Sequence, residues 1–216
     1  MSSTNRGGQR TPADNYPTPA YAVRRLLEEF QHTTIFQRAT VLHEPCSGEG
    51  AIIDVVETYY PDRKWYATDI REDALNYLEE RHPNVETRCM SALDPFPTEW
   101  ESPKVIITNP PFRIAEEVLH RLLRDHADAD IFLLLRVNFI GSVRRQPFME
   151  AYPPDLYVLP NRPSFLGEGQ TDSIEYAWFH WGPTPRKRAF GQWKVLPLTP
   201  KEERSAARVK EADGGE

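Results

Sequence analysis

Several things are scarce in this chain, and each scarcity closes off a class of protein. Two cysteines, Cys46 and Cys89, occur in 216 residues. That is too few for a disulfide framework or a thiolate metal centre, and it fits a reducing cytoplasm. None of the six histidines has another four residues away, so the helical zinc-ligand spacing is missing. The longest apolar run, Ile131 to Leu135, falls far short of the roughly 20 residues that a membrane-crossing helix needs. Met1 to Asp14 is polar and carries no apolar core of a secretory signal. Net positive charge is also lacking. The formal charge is −6, which argues against a protein that coats nucleic acid. No internal repeat is visible.

What remains is the composition of an ordinary globule, 39% hydrophobic and 27% charged. A chain of this length forms one domain with a full core. The charge is unevenly spread. Pro183 to Lys194 contains Arg186, Lys187, Arg188 and Lys194 with no acid, interleaved with Phe190 and Trp193. Arg144 and Arg145 make a second basic point. Local patches of this kind decide phosphate contacts, and the plain alternative is a solvated basic loop balancing an acidic body.

Residues 1–14 read as a flexible arm, 15–198 as the folded domain and 199–216 as a charged, disordered tail. Thr18-Pro19 reads as a helix cap with proline at the first helical position. Behind it Val23, Leu26, Leu27 and Phe30 keep helical spacing. Strands are expected at Thr40–His43, Lys64–Thr68, Val85–Met90, Val105–Thr108 and Ile131–Val137. Helices separate the first three, carrying Ile52, Val55, Val56 and Tyr59, then Ala74, Leu75 and Leu78. Another, with Ile114, Val118, Leu119 and Leu122, follows the Val105 strand. Alternation of this sort predicts a mostly parallel sheet covered on both faces, with the Ile131 strand near its middle. Leu156–Leu159 and Ile174–Trp181 have no helix between them and predict an antiparallel pair closing one edge, seven strands in all.

The expected functional residues fall at strand ends. Glu44-Pro45-Cys46-Ser47-Gly48-Glu49-Gly50 spans the turn from the first strand into its helix. In open α/β sheets ligands bind beyond such carboxyl ends, and glycine lets backbone approach them. The loop lacks the third glycine of a dinucleotide fingerprint and the Lys-Ser/Thr of a phosphate loop. Its acids, Glu44 and Glu49, would repel a pyrophosphate and suit a cationic ligand such as S-adenosylmethionine. Nineteen residues beyond Gly50, Asp69 ends the second strand, where it can accept from ribose hydroxyls. Ile70 can pack on the adenine of such a cofactor, and Asp94 can accept from its amino group.

At the fourth strand end stands Asn109-Pro110-Pro111-Phe112. The amino nitrogen N6 of adenine is a poor nucleophile because its lone pair is delocalised into the ring. The Asn109 side-chain oxygen and the Pro110 carbonyl can accept its two N–H bonds. Those bonds tighten as the nitrogen pyramidalises, which is differential transition-state stabilisation. Phe112 can stack on a base extruded from the duplex. A proline-rich turn without catalytic meaning is the alternative for the tetrapeptide taken alone.

Together these segments resemble S-adenosylmethionine-dependent amino-methyltransferases with the Asn-Pro-Pro-aromatic motif, and more closely the small phage-type DNA N6-adenine methyltransferases. The likeness runs from about Asp14 to Gly182. It rests on Asn15-Tyr16-Pro17-Thr18-Pro19, Glu44 to Gly50, Asn109 to Phe112, the Arg136-x-x-Phe139 segment, and Tyr176-x-Trp178-Phe179-x-Trp181. It departs at Cys46-Ser47, where Ala-Cys is usual. The resemblance implies a Rossmann-like class I methyltransferase fold, with Tyr16, Thr18 and Pro19 against the methionine part of the cofactor. Phe165 is implied as a second aromatic beside the flipped base. The expected partner is double-stranded DNA, contacted through Arg136, Arg144, Arg145, Arg162 and the Arg186, Lys187, Arg188 cluster, with no metal and no membrane.

Related enzymes use the same motif on cytosine N4, on guanine N2 of RNA and on protein glutamine, so the target base is not readable from it. A catalytically silent partner subunit is the reading from another class, and a nicotinamide-dependent oxidoreductase is disfavoured by the loop. No stretch is long enough for a separate target-recognition domain. Recognition would fall to Gly141–Pro154, Asn161–Asp172 and Pro183–Lys194, which implies a short or relaxed site.

Overall fold

Alternate residues of the central strands belong to two separate cores, and this period of two is what organises the molecule. The computed structural model describes residues 17–163, 174–183 and 191–204. Its sheet contains β1 (Val41–Glu44), β2 (Lys64–Asp69), β3 (Val85–Cys89), β4 (Val105–Thr108), β5 (Asp130–Arg136), β6 (Asp155–Leu159), β7 (Tyr176–Trp181) and β8 (Trp193–Val195). The order across the sheet is β3-β2-β1-β4-β5-β7-β6-β8. The strands from β3 to β5 are parallel; β7 is antiparallel to both β5 and β6.

Among the described residues, the sheet is flanked by the helices α1 (Ala20–Phe30), α2 (Thr34–Arg38), α3 (Ala51–Tyr59), α4 (Glu72–Arg81), α5 (Ala115–Asp125) and α6 (Gln146–Ala151). On one face, α1 to α4 pack on Leu42, Val105, Ile107, Phe132, Leu134, Tyr176 and Trp178. On the other, α5 and α6 pack on Ile106, Ile131, Leu133, Leu135, Ala177, Phe179 and Trp181. Strands β4, β5 and β7 thus supply both cores from consecutive residues, which explains why β5 reads as an unbroken apolar run. A third, small cluster of Val41, Tyr66 and Trp100 with Phe96 covers the sheet where no helix joins β3 to β4.

Several expectations need correction. The sheet has eight strands, not seven, because Trp193–Val195 pairs in parallel with β6 inside what reads as a basic loop. Three residues with every side chain exposed carry no hydrophobic periodicity, so nothing in their pattern announces a strand. The approach to β8 needs Gly191, where an added Cβ would lie 1.7 Å from the Pro154 carbonyl oxygen. Pro19, not Thr18, is the N-cap of α1, and no side chain caps it. Thr18 is buried instead. The loop expected at Gly141–Pro154 contains α6, and α2 was not expected at all.

The tail expected from Thr199 begins as ordered chain. Thr199 is buried, its N–H donates to Asn161 Oδ1 (2.6 Å), and Arg25 donates to its hydroxyl (3.1 Å). Glu203, in a helical turn at 201–204, pairs with Arg25 at 2.8 Å. The arm at 1–14 and the remainder of the tail lie outside the described residues.

The seam between α1 and the antiparallel strands is held by a buried bond from Trp178 Nε1 to the Ala22 carbonyl, 2.9 Å. Replacing Trp178 by Phe keeps an aromatic ring but removes that donor and leaves a void. Unfolding should become easier by about 1–3 kcal/mol, read as a lower urea midpoint at unchanged slope. An unchanged midpoint would contradict this account of the seam.

Candidate active site

The strand order sets the place. From β1 the chain crosses through α3 to β2 on one face, and from β4 through α5 to β5 on the other. Between β1 and β4 the connections therefore diverge and open a crevice at the carboxyl ends, the position where such sheets bind ligands. Glu44, Asp69 and Asn109 stand at the ends of β1, β2 and β4, side by side around it.

The turn after β1 is built by backbone. Gly48 N–H donates to Asp69 Oδ2 (2.8 Å), Arg71 N–H to Asp69 Oδ1 (2.9 Å) and Ser47 N–H to the Thr68 carbonyl (3.0 Å). Gly50 is the N-cap of α3 in the left-handed region, φ 85°, and a Cβ there would meet Leu78 Cδ1 at 2.3 Å. Both conformation and space demand glycine. Each Asp69 oxygen accepts one backbone N–H and retains further lone pairs, so the carboxylate orders the loop before it meets any ligand. Ile70, next to it, is 67% exposed. Asp94 is exposed, and one of its oxygens accepts from Ser91 N–H at 2.9 Å.

Glu44, read from the sequence as an acid flanking the loop, lies inside the protein. It is buried, and its Oε2 has no hydrogen-bond partner among the described residues. Burial holds its carboxyl well above the usual carboxylate range; Asp69 and Asp54 push the same way, against one backbone hydrogen bond at Ile53. Cys46 is likewise pushed up by burial and by Asp69 and Glu44, opposed by a contact with Thr108. The floor of the loop is therefore a set of acids that disfavours added negative charge.

Asn109 is partly buried between buried Thr108 and buried Pro110. Phe112 packs against the core on the α1 side, its ring centroid 5.8 Å from that of Tyr176. The Arg136 guanidinium lies over the Phe112 ring at 4.5 Å, and its Nε donates to Tyr176 Oη at 3.2 Å. The sequence reading gave Arg136 to phosphate; in the structure it lies over the aromatic ring. The signal that could have found this is positional, since Arg136 ends the strand next to β4.

The other predicted contacts are scattered. Arg144 and Arg145 both reach Glu116 in the first turn of α5 (2.5 and 3.3 Å). Arg162 pairs with Glu175, and its carbonyl accepts from Tyr21 Oη. Tyr16, Phe165, Arg186, Lys187 and Arg188 lie outside the described residues. One feature was not foreseen: a small, solvent-open cavity of about 20 Å³ beside Asp94, lined by His43, Thr68, Phe96, Arg121 and His126. Burial lowers His43 to about 3 and His126 to about 4, which keeps both imidazoles neutral. Among the described residues, no group of three or more His, Cys, Asp or Glu could hold a metal, and no helix is long and apolar enough to cross a membrane.

No family model matches the chain, and no curated protein matches it by sequence. Solved structures do match. A putative class I S-adenosylmethionine-dependent methyltransferase from Listeria monocytogenes superposes with a TM-score of 0.60 at 9% identity, covering 96% of this chain and 72% of that one. A putative RNA methyltransferase from Pyrococcus horikoshii gives 0.59 at 12%, covering 84% and 93%. The plantazolicin methyltransferase in complex with SAH gives 0.50 at 14%, covering 74% and 85%. At these identities the likeness is one of fold: the chain has the Rossmann-like class I methyltransferase fold.

The buried state of Glu44 gives a testable sign. A carboxyl raised by folding contributes stability that is complete below its unfolded value of 4.5 and is lost as pH rises toward the folded value. Glu44→Gln keeps the shape and cannot ionise. Urea midpoints of the variant and the parent should diverge in the variant's favour between pH 5 and 8; a constant difference across that range would refute the assignment.

Proposed function

We propose that the chain transfers a methyl group from S-adenosylmethionine to the exocyclic N6 of adenine in DNA. The observation that carries this reading is the position of Asn109-Pro110-Pro111-Phe112, which leaves β4 at the crevice beside the Gly48–Asp69 loop. The acids under the loop and the orphan Glu44 oxygen fit a cationic cofactor better than a dinucleotide pyrophosphate. Asp69, Ile70 and Asp94 would hold its adenosine part, and Glu44 to Gly50 the remainder. When bound, S-adenosylmethionine supplies a methyl group activated on a sulfonium sulfur.

The residues of the chain do the rest. Pro110 and Pro111 have fixed φ, so the Asn109 amide and the Pro110 carbonyl converge with little freedom. Both accept N–H bonds from the target nitrogen, which turns its lone pair out of the ring plane toward the methyl donor. No general base with a shifted titration is needed for attack, because the proton leaves only after the nitrogen becomes cationic. Phe112 offers a stacking face. With Arg136 over one side of the ring, a base either takes the other side or displaces the guanidinium. Cytosine N4 satisfies the same two acceptors; the Asn-Tyr-Pro-Thr-Pro segment and the tryptophan-rich β7 favour a DNA substrate over RNA or protein.

Asn109→Ala should lower methyl transfer about 10²- to 10³-fold, while the thermal shift produced by S-adenosylmethionine persists. A silent partner subunit would lose nothing. Mass spectrometry of nucleosides from methylated duplex should show N6-methyladenine; N4-methylcytosine would correct the base, and no modified nucleoside would overturn the DNA reading. Affinity for duplex should fall linearly in log–log form with salt, and a scrambled site should be methylated nearly as well as any long asymmetric one. Strict dependence on six or more bases would sink that last expectation.

A further inference from the structure

Between β5 and α6 the chain makes a short excursion over Val137–Arg145 whose tip is Val143, 96% exposed, with Ile140 at 41%. A single exposed valine is ordinary. This one sits on a braced frame. Gly141 N–H donates to the Asn138 carbonyl (3.1 Å), Ser142 N–H to that of Ile140 (3.2 Å) and Arg145 N–H to that of Ser142 (3.1 Å). Arg145 Nε donates to the Phe139 carbonyl at 2.7 Å, and its guanidinium covers the Phe139 ring at 4.4 Å. The valine is held outward by these contacts.

The frame is also tied to the candidate catalytic segment. Arg144, adjacent to the tip, is 69% exposed along its side chain and bonded to Glu116. Arg145 reaches the same carboxylate oxygen. Glu116 lies four residues beyond Phe112, in the first turn of the helix that leaves Asn109–Phe112. At the base of the excursion Arg136 stacks on Phe112 itself. An apolar tip beside a guanidinium, fixed to the rim of a site for a planar base, matches duplex DNA: apolar side chains enter base steps, and arginine meets the flanking phosphate.

We propose that Ile140–Arg144 is a wedge for double-stranded DNA. Val143 fills the gap that the extruded adenine leaves in the stack, and Arg144 exchanges Glu116 for a backbone phosphate. The proposal rests on the DNA reading above. Without the wedge, the unstacked state must be reached unaided, which penalises paired targets more than unpaired ones.

The experiment compares methyl transfer by the full chain and its Val143→Gly variant on two duplexes, one matched and one with the target adenine mismatched. The variant should lose about tenfold or more on the matched duplex and only about twofold on the mismatched one. Its thermal unfolding should not move, since the side chain is solvent-exposed. With 2-aminopurine at the target, the fluorescence rise on binding should shrink in the variant. Equal losses on both duplexes, or none on either, would overturn the wedge. If the parent chain methylates neither duplex, the DNA reading has failed and takes the wedge with it. That failure needs no variant to be seen, so the two are distinguishable.

Discussion

One carboxylate carries the geometry of the crevice. Asp69 takes a backbone N–H from Gly48 on one oxygen and from Arg71 on the other, so it joins the turn after β1 to the turn after β2. Its own carbonyl accepts from Met90 and brings in the chain after β3. Three successive strand ends thus meet at a single residue, two of them through its side chain. Charge-assisted bonds of this kind are among the stronger ones in a protein, and here they fix backbone on both oxygens, with the Arg71 guanidinium 3.4 Å from one of them. The left-handed Gly50 and the buried Glu44 are tolerable because this clamp decides where the loop runs.

The parallel half of the sheet was legible because helices with clear apolar spacing link β1 to β2, β2 to β3 and β4 to β5, and helix-linked strands admit few topologies. Asn109–Phe112 was legible for a similar reason: its meaning lies in four adjacent residues. What could not be read depends on distant contacts. The exposed, three-residue β8 has no pattern of its own, and only the Gly191–Pro154 approach and pairing with β6 make it a strand. The burial of Glu44 follows from α3 closing over it, which a polar residue in a glycine loop does not disclose. Arg144 and Arg145 read as a basic point, and their partner Glu116, nearly thirty residues earlier, could not be named from the sequence.

The two halves of the crevice differ electrostatically. Under the loop the acids are crowded and desolvated, so the region resists further anionic charge. Around Phe112 the environment is aromatic and cationic, with Arg136 on the ring and Tyr176 behind it. A cationic ligand would thus suit the acid-lined half, and an electron-rich ring the half around Phe112.

The two outer strands of the sheet treat their open hydrogen-bonding edges differently from the middle. At one border β8 stops after three residues, with Lys194 drawn to Glu29. At the other, β3 has Glu86 facing Lys64 and Arg88 bound to Glu99. Short length and charged side chains discourage another strand from adding to a sheet edge. Copies of the chain crowded together would therefore have little tendency to join edge to edge, and their sheets would stay separate.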